Sequence, residues 1–141
     1  MAGISIEEAE QILDRNFAPW VLELHPKVRA TTERSATLVM PFDEKLHRLG
    51  GIVSGQALMA LADTAMVIAL SSAFGAFRPV FTVDLTTTFM RPAANTAILA
   101  EATVLRLGRT MGFGEVRLLT DTAERQLIAN AVASYSIPPA T

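Results

Sequence analysis

Asp63 is the one ionisable side chain between Leu49 and Phe77, and it stands in the middle of an apolar run that extends from Ser54 to Ser72. Taking a lone carboxylate out of water costs several kcal/mol unless the group is paired or used. Buried carboxylates are also groups whose acid–base chemistry a protein can exploit. Asp63 is therefore the first candidate for a general base or a nucleophile.

Ser54 and Gly55, at the start of the same run, offer the complementary chemistry. The free amides at a helix N-terminus, reinforced by the helix dipole, can stabilise an oxygen that becomes negative during attack on a carbonyl. Gly55 would let a bulky carbonyl approach the backbone closely. Ser54 can serve as the helix N-cap or align substrate or water. It is no nucleophile elbow, because Ile52 and Gln56 stand where that motif requires glycine.

The spacing of Gly55 and Asp63 has a consequence for assembly. Eight residues of one helix separate them by about 12 Å, so one reacting carbonyl cannot touch both within a single chain. If both groups act on one carbonyl, Asp63 must come from the antiparallel helix of a neighbouring subunit across a two-fold axis. We therefore expect two sites per dimer.

The composition narrows the class of protein. The chain has 141 residues, which fits a single domain over residues 1–141, and half of them are hydrophobic. So much apolar surface predicts a homo-oligomer, either a dimer or a dimer of dimers. A net charge of −2 gives no broad attraction to nucleic acid or to anionic membranes. There is no cysteine, and the two histidines are far apart in sequence, so no metal site is expected.

The apolar run is long enough to raise the question of a membrane span. A carboxylate near its centre and the strand-like segments that follow argue against one. A helix that is apolar all round is better explained by full enclosure within a sheet. The first residues lack the basic and apolar regions of a signal peptide, so we expect a cytoplasmic location.

The rest of the chain predicts one short helix and a series of strands. Ser5 and Glu8 fit a capping box that opens an amphipathic helix to about Phe17, and Pro19 ends it. Strict alternation over Val80–Met90 predicts a strand with Phe81, Val83, Leu85, Thr87 and Phe89 on one face and Thr82, Asp84, Thr86 and Thr88 on the other. Residues Asp43–Arg48 are predicted to form a polar loop, and Gly75 is predicted to end the apolar helix. The other strands are expected near residues 28–32, 36–42, 96–107, 111–120 and 126–137. Long strands of this kind curl around one helix, which gives an α+β fold.

Three segments together resemble a known family. They are Ser54-Gly55 with Leu61-Ala62-Asp63-Thr64-Ala65, then Thr82-Val83-Asp84-Leu85 through Arg91-Pro92, and then Leu105 with Leu107-Gly108-Arg109. Over roughly residues 42–137 the chain resembles the acyl-CoA thioesterases of the hotdog fold, of the phenylacetate-degradation (PaaI) type. Gly55 and Asp63 keep the spacing of that family. Ser54 replaces its usual histidine, Gln56 replaces its second glycine, and Arg48 falls where it has another polar residue.

The resemblance implies an enzyme that hydrolyses the thioester bond of an acyl-CoA. Asp63 would be the base or nucleophile, the Gly55 amide the oxyanion donor, and Ser54 a further catalytic candidate. No metal or redox cofactor is implied, because coenzyme A enters as part of the substrate. Candidate substrate-binding residues are Arg48, Gly51, Thr64, Thr82, Asp84, Arg91 and Arg109. Among them, Arg91 and Arg109 stand at strand ends, and arginine side chains bind the phosphates of coenzyme A well.

The same residues are compatible with two other functions. The loss of the usual histidine at Ser54 leaves room for a protein that binds an acyl ligand without hydrolysing it, since a fold does not fix a function. A dehydratase of acyl thioesters is the third candidate, although that reaction usually pairs the acid with a histidine and the central helix has none.

Overall fold

The computed structural model describes residues 3–139. Helix α1 spans Ile6–Asn16, and its capping box forms as the sequence predicts. The Ser5 hydroxyl accepts a hydrogen bond from the Glu8 amide at 3.0 Å, and the Glu8 carboxylate accepts one from the Ser5 amide at 2.9 Å. Pro19 does more than end this helix, because it opens a second short helix, α2, over Pro19–Leu22. Proline suits the first position of a helix, where the missing N–H would have no partner.

Six long strands form one antiparallel sheet, as predicted. Its strands are β1 (Lys27–Thr32), β2 (Ser35–Met40), β5 (Phe81–Phe89), β6 (Ile98–Leu107), β7 (Met111–Thr120) and β8 (Leu127–Ser136). The two remaining strands, β3 (His47–Arg48) and β4 (Ile52–Val53), pair only with each other. The sheet order is β1-β2-β6-β7-β8-β5, so β1 and β5 are its edges within residues 3–139. The fold is therefore the α+β arrangement of a long sheet around one central helix.

The central helix, α3, spans Gly55–Phe74. Ser54 is its N-cap and accepts a hydrogen bond from the Ala57 amide at 3.2 Å. Gly75 ends it in the left-handed conformation with φ 86°, which glycine adopts without a steric penalty. By length and composition α3 could cross a membrane, but 67% of its apolar stretch is buried inside the protein. It is the core helix of this fold.

The sheet encloses α3 on one side only, so the expectation of full enclosure is wrong for the single chain. Two glycines of β7 let the helix pack closely, because a Cβ on Gly114 would collide with the Met66 side chain and one on Gly112 would lie 3.1 Å from Leu70. On the opposite side a stripe of the helix remains accessible, and Asp63 lies half-buried within it. The stripe follows helical spacing and comprises Gln56, Met59, Ala60, Asp63 and Val67.

Strand β5 departs from the unbroken alternation that its sequence predicts. Thr82 pairs with Tyr135 and Asp84 with the preceding residue Ser134, so Val83 is an extra residue in the ladder. A β-bulge of this kind shifts the phase of the side chains on either side of it. Thr82 therefore shares the helix-facing side with Leu85, instead of the outer side with Asp84.

The segment before α3 is more ordered than the predicted polar loop. Glu44–Leu46 forms one turn of 3₁₀ helix, and β3 pairs with β4 as a small hairpin. Gly50 and Gly51 make its turn with φ of 96° and 77°. Such angles are unfavourable for other residues, which explains the glycine pair. The Ser54 amide donates a hydrogen bond to the Leu46 carbonyl at 2.9 Å, which fixes the start of α3 against this segment.

Candidate active site

The Asp63 carboxylate is held by two hydroxyl groups from neighbouring strands. Thr82 of β5 donates a hydrogen bond to its Oδ1 atom at 2.9 Å, and Tyr135 of β8 donates to the same atom at 2.7 Å. Thr82 and Tyr135 face each other in the β5–β8 ladder, so the sheet sets both donors at once. No donor among residues 3–139 contacts Oδ2, which leaves that oxygen able to act on a substrate or a water molecule.

Tyr135 is a partner of Asp63 that the sequence did not reveal. Its side chain is fully buried. Burial raises the pKa of Tyr135 far above its ordinary value, and the nearby charge of Asp63 raises this pKa further. The hydroxyl therefore stays protonated and remains a donor at any working pH. The sequence offers one indication of this role. Tyr135 is the single tyrosine of the chain, and it occupies an inward-facing position of the last strand.

The N-terminus of α3 presents the second reactive feature. The Ser54 hydroxyl accepts a hydrogen bond from the Ala57 amide, and the Ser54 carbonyl accepts one from the Leu58 amide. The amides of Gly55 and Gln56 are left without an acceptor among the described residues. A Cβ on Gly55 would lie 3.3 Å from the ring of Phe89. Glycine thus keeps the space between this ring and the free amides open, and an oxyanion donor at Gly55 would need that space.

Gly55 lines a cavity of about 430 Å³ together with two of the predicted arginines, Arg48 and Arg91. Both arginines are exposed, which suits contact with the phosphates of a ligand. The structure therefore brings together three residues that lie on separate segments of the sequence.

Asp63 lines a different cavity, of about 360 Å³, together with Thr64. The Thr64 side chain is buried, and its hydroxyl donates to the Ala60 carbonyl at 2.7 Å within the same helix. Within one chain, Gly55 and Asp63, the two residues proposed to act on one carbonyl, therefore line separate cavities. This agrees with their spacing of about 12 Å along the helix.

Three other candidate residues lie away from these two cavities. Gly51 belongs to the turn between β3 and β4, and its amide donates to the Arg48 carbonyl at 3.1 Å. Asp84 is exposed on β5, where its carboxylate accepts weak hydrogen bonds from Thr86 at 3.3 and 3.4 Å. Arg109 lines a cavity of about 650 Å³ near Phe74, at the C-terminal end of α3.

A family profile described as the thioesterase superfamily matches residues 50–125, which include Gly55, Asp63 and Thr82. The chain belongs to the thioesterase superfamily. A candidate esterase of the archaeon Halobacterium salinarum is 34% identical to this superfamily member over 118 residues, covering 77% of this chain and 76% of that protein. These matches support hydrolysis of thioesters as the activity of the chain.

Solved structures place this superfamily member in the hotdog fold. A candidate thioesterase from Silicibacter sp. TM1040 superposes with a TM-score of 0.87 at 26% identity, covering 99% of this chain and 95% of that one. The PaaI protein of the E. coli phenylacetic acid degradation operon superposes with a TM-score of 0.82 at 19% identity, over 96% and 94% of the two chains. At that identity the second likeness concerns the fold alone. The resemblance that the sequence predicts is confirmed.

Proposed function

We propose that this protein is an acyl-CoA thioesterase that hydrolyses a small or medium acyl- or aryl-CoA to the free acid and coenzyme A. The observation that carries this proposal is the Asp63 carboxylate, which Thr82 and Tyr135 hold through Oδ1 while Oδ2 remains available. A carboxylate fixed in this way is pre-organised to deprotonate water or to attack a carbonyl.

Each active site is formed by two subunits, with Gly55 from one and Asp63 from the other. The separate cavities of these two residues in one chain support this arrangement. Strand β5 supports it as well, because it is a sheet edge with exposed apolar side chains, among them Phe81 at 64% and Val83 at 60% exposure. Such an edge favours pairing with a second copy.

The reaction follows from the two groups. In the general-base route, Asp63 takes a proton from water, and the resulting hydroxide attacks the thioester carbon. The carbonyl oxygen becomes negative and is stabilised by the Gly55 amide. The C–S bond then breaks, and the departing thiolate takes the proton held by Asp63, which gives free coenzyme A and restores the carboxylate. In the nucleophilic route, Oδ2 of Asp63 attacks the thioester carbon instead, the C–S bond breaks to release coenzyme A as the thiolate, and a mixed anhydride forms. Water then hydrolyses the anhydride to the free acid and the original carboxylate, and the proton that is released neutralises the thiolate.

The phosphates of coenzyme A are bound by exposed arginines. Arg48 and Arg91 are best placed, because they share the cavity of Gly55. Arg109 lines a separate cavity near the opposite end of α3 and is the third candidate for contact with these phosphates. The reaction uses protein groups and water, with coenzyme A entering as part of the substrate.

The leading alternative is a protein that binds an acyl ligand without turnover. A hydrolysis assay that follows free thiol release from acyl-CoAs of different chain length separates the two functions. We expect saturable thiol release that depends on enzyme concentration. Calorimetric binding of acyl-CoA with no thiol released would instead identify a binding protein.

Tyr135→Phe should lower kcat by about tenfold with little change in KM. The phenyl ring fills the same buried space, while the carboxylate loses one of its two donors, and a hydrogen bond to a charged group contributes about 1.5–3 kcal/mol. Steady-state kinetics together with a thermal melt test this prediction. A parallel fall in Tm and kcat that stabilising additives reverse would assign Tyr135 a packing role instead.

Ser54→Ala should have a smaller effect on kcat than the loss of Asp63. The Ser54 hydroxyl caps α3, and loss of such a cap costs about 1 kcal/mol of stability. Denaturant unfolding and kinetics on the same preparation measure both effects. If Ser54→Ala damaged kcat as severely as a change at Asp63 while stability stayed constant, Ser54 would have a chemical role of its own.

A further inference from the structure

The outer face of the sheet, on the side away from α3, carries apolar side chains where polar ones are expected. An antiparallel sheet that packs a helix on one face commonly presents polar residues to water on the other. Here Leu105 of β6, Phe113 of β7 and Val132 of β8 are 57%, 38% and 44% exposed. Phe113 points outward, because Gly112 and Gly114 on either side of it contact side chains of α3. We call these three exposed residues the outer patch.

The strand register brings the members of the outer patch together. Phe113 faces Ser134 in the β7–β8 ladder, and Val132, two residues before Ser134, lies diagonally beside Phe113. In the β6–β7 ladder a β-bulge makes Leu105 an extra residue next to Arg106, the partner of Phe113. The outer patch is therefore one contiguous surface across three adjacent strands, and contiguous apolar patches mark interaction sites.

The outer patch is confined to one end of this face. At the other end the same four strands carry a polar row across the sheet, formed by Glu101, Arg117, Asn130 and Thr88. Glu101 and Arg117 form an ion pair in this row at 3.8 Å. Contact with water accounts for the polar end of the face but not for the apolar one.

The dimer proposed above does not cover the outer patch. Pairing of β5 with the β5 strand of a second copy extends the sheet at its edge, whereas the patch lies on β8, β7 and β6, one to three strands inside that edge. The active sites lie on the opposite face, with α3. The extended sheet of such a dimer therefore presents two outer patches on one continuous outer face.

The charges beside the outer patch fit a second copy of the same face. Arg106 faces Phe113 in the ladder. Glu115 faces Val132, and Asp84 lies on the neighbouring edge strand. Within residues 3–139 none of these three charged groups forms an ion pair. A two-fold axis between two such faces lets the cation of one copy meet a carboxylate of the other, which gives the apolar patch a self-complementary charged rim.

The size of the face indicates what covers it. Four strands about 4.8 Å apart and about 15 Å of each strand give about 300 Å² a chain, so two single chains would bury only about 600 Å² in total, the size of a crystal-packing contact. Two dimers would bury about 1,200 Å², which reaches the size of a specific, stable interface.

We infer that the outer patch is the interface between two dimers, so that the protein is a dimer of dimers with the outer faces of its sheets packed about 10 Å apart. The inference rests on the β5-paired dimer of the proposed function. Phe113, on the middle strand of the patch, is its central contact. Each active site is complete within one dimer and does not depend on this interface.

The test measures the oligomeric state of the full chain by light scattering and sedimentation velocity over a range of concentrations. The wild type should be a tetramer. Phe113→Lys places a charge at the centre of the patch and should raise the dimer–dimer Kd by about thirtyfold or more, as expected for a residue that dominates an interface. The resulting dimers should keep thiol release per chain within twofold of the wild type.

Two further variants keep the test decisive. Val132→Lys adds the charge on the neighbouring strand and should also give dimers, which covers the case in which Phe113→Lys fails to fold. Thr88→Lys is the matched control, because Thr88 is exposed on the same face at its polar end. It should remain tetrameric.

The outcomes separate this interface from the proposed function. A wild-type protein that stays dimeric at every concentration would overturn the interface, and so would tetramers that persist in both patch variants. Patch variants that dissociate to monomers would contradict the β5-paired dimer and overturn the inference with it. A wild-type tetramer that gives dimers in both patch variants, but releases no thiol from any acyl-CoA, would support the interface and overturn the proposed function.

Discussion

Replacing Asp63 with asparagine should lower kcat for acyl-CoA hydrolysis by about a hundredfold or more, within the range for loss of a positioned acid–base group. Asparagine has nearly the same shape, and its carbonyl oxygen can still accept from Thr82 and Tyr135, so the fold and the oligomer should persist. Its amide nitrogen can neither deprotonate water nor attack a carbonyl. Steady-state thiol release on the purified variant measures the effect.

The matched control is Asp14→Asn, which removes a carboxylate from the exposed face of α1. It should retain wild-type kcat, and circular dichroism and light scattering should show both variants folded and oligomeric. Wild-type activity in Asp63→Asn would remove Asp63 from the mechanism.

Mixing two inactive variants should restore activity. Asp63→Asn lacks the base, and Gly55→Val places methyl groups between the free amide and the ring of Phe89, which already lies 3.3 Å from the Cβ position. In a mixed dimer both lesions fall in one site, and the other site is wild type. Random pairing makes about half of the dimers mixed, and each carries one good site, so up to about a quarter of wild-type activity should return.

Mass spectrometry of the mixed sample checks that subunits have exchanged, and each variant alone must be folded and inactive. Confirmed exchange without recovery of thiol release would mean that each site lies within one chain, or that a dimer needs both sites intact.

Local pattern was sufficient to predict most of the fold. Ser54 and Gly75, singled out in the sequence as N-cap and helix stop, are the two residues that flank α3, because an N-cap hydroxyl and a left-handed glycine are strong local signals. Strand β7 spans Met111–Thr120, the same bounds that the sequence predicts. The short β3–β4 hairpin was missed, since two-residue strands carry no period.

The surroundings of Asp63 could be predicted only in part. The sequence singles out the carboxylate, but Tyr135 lies 72 residues away and reaches it only through the sheet. The bulge at Val83 depends on which residues of β8 pair with β5, so alternation alone placed Thr82 on the wrong face. Arg91 and Arg109 look alike as strand-end arginines, yet the fold assigns them to different cavities.

The shared site is tested most directly by two purified heterodimers with differently tagged subunits. One carries Asp63→Asn in one chain and Gly55→Val in the other; its comparison pairs a wild-type chain with a chain that carries both changes. If Gly55 and Asp63 act across the interface, the first heterodimer keeps one intact site and about half of wild-type thiol release, while the second has none. The reverse result, with activity only in the second heterodimer, would place each site within one chain and contradict the mechanism proposed here.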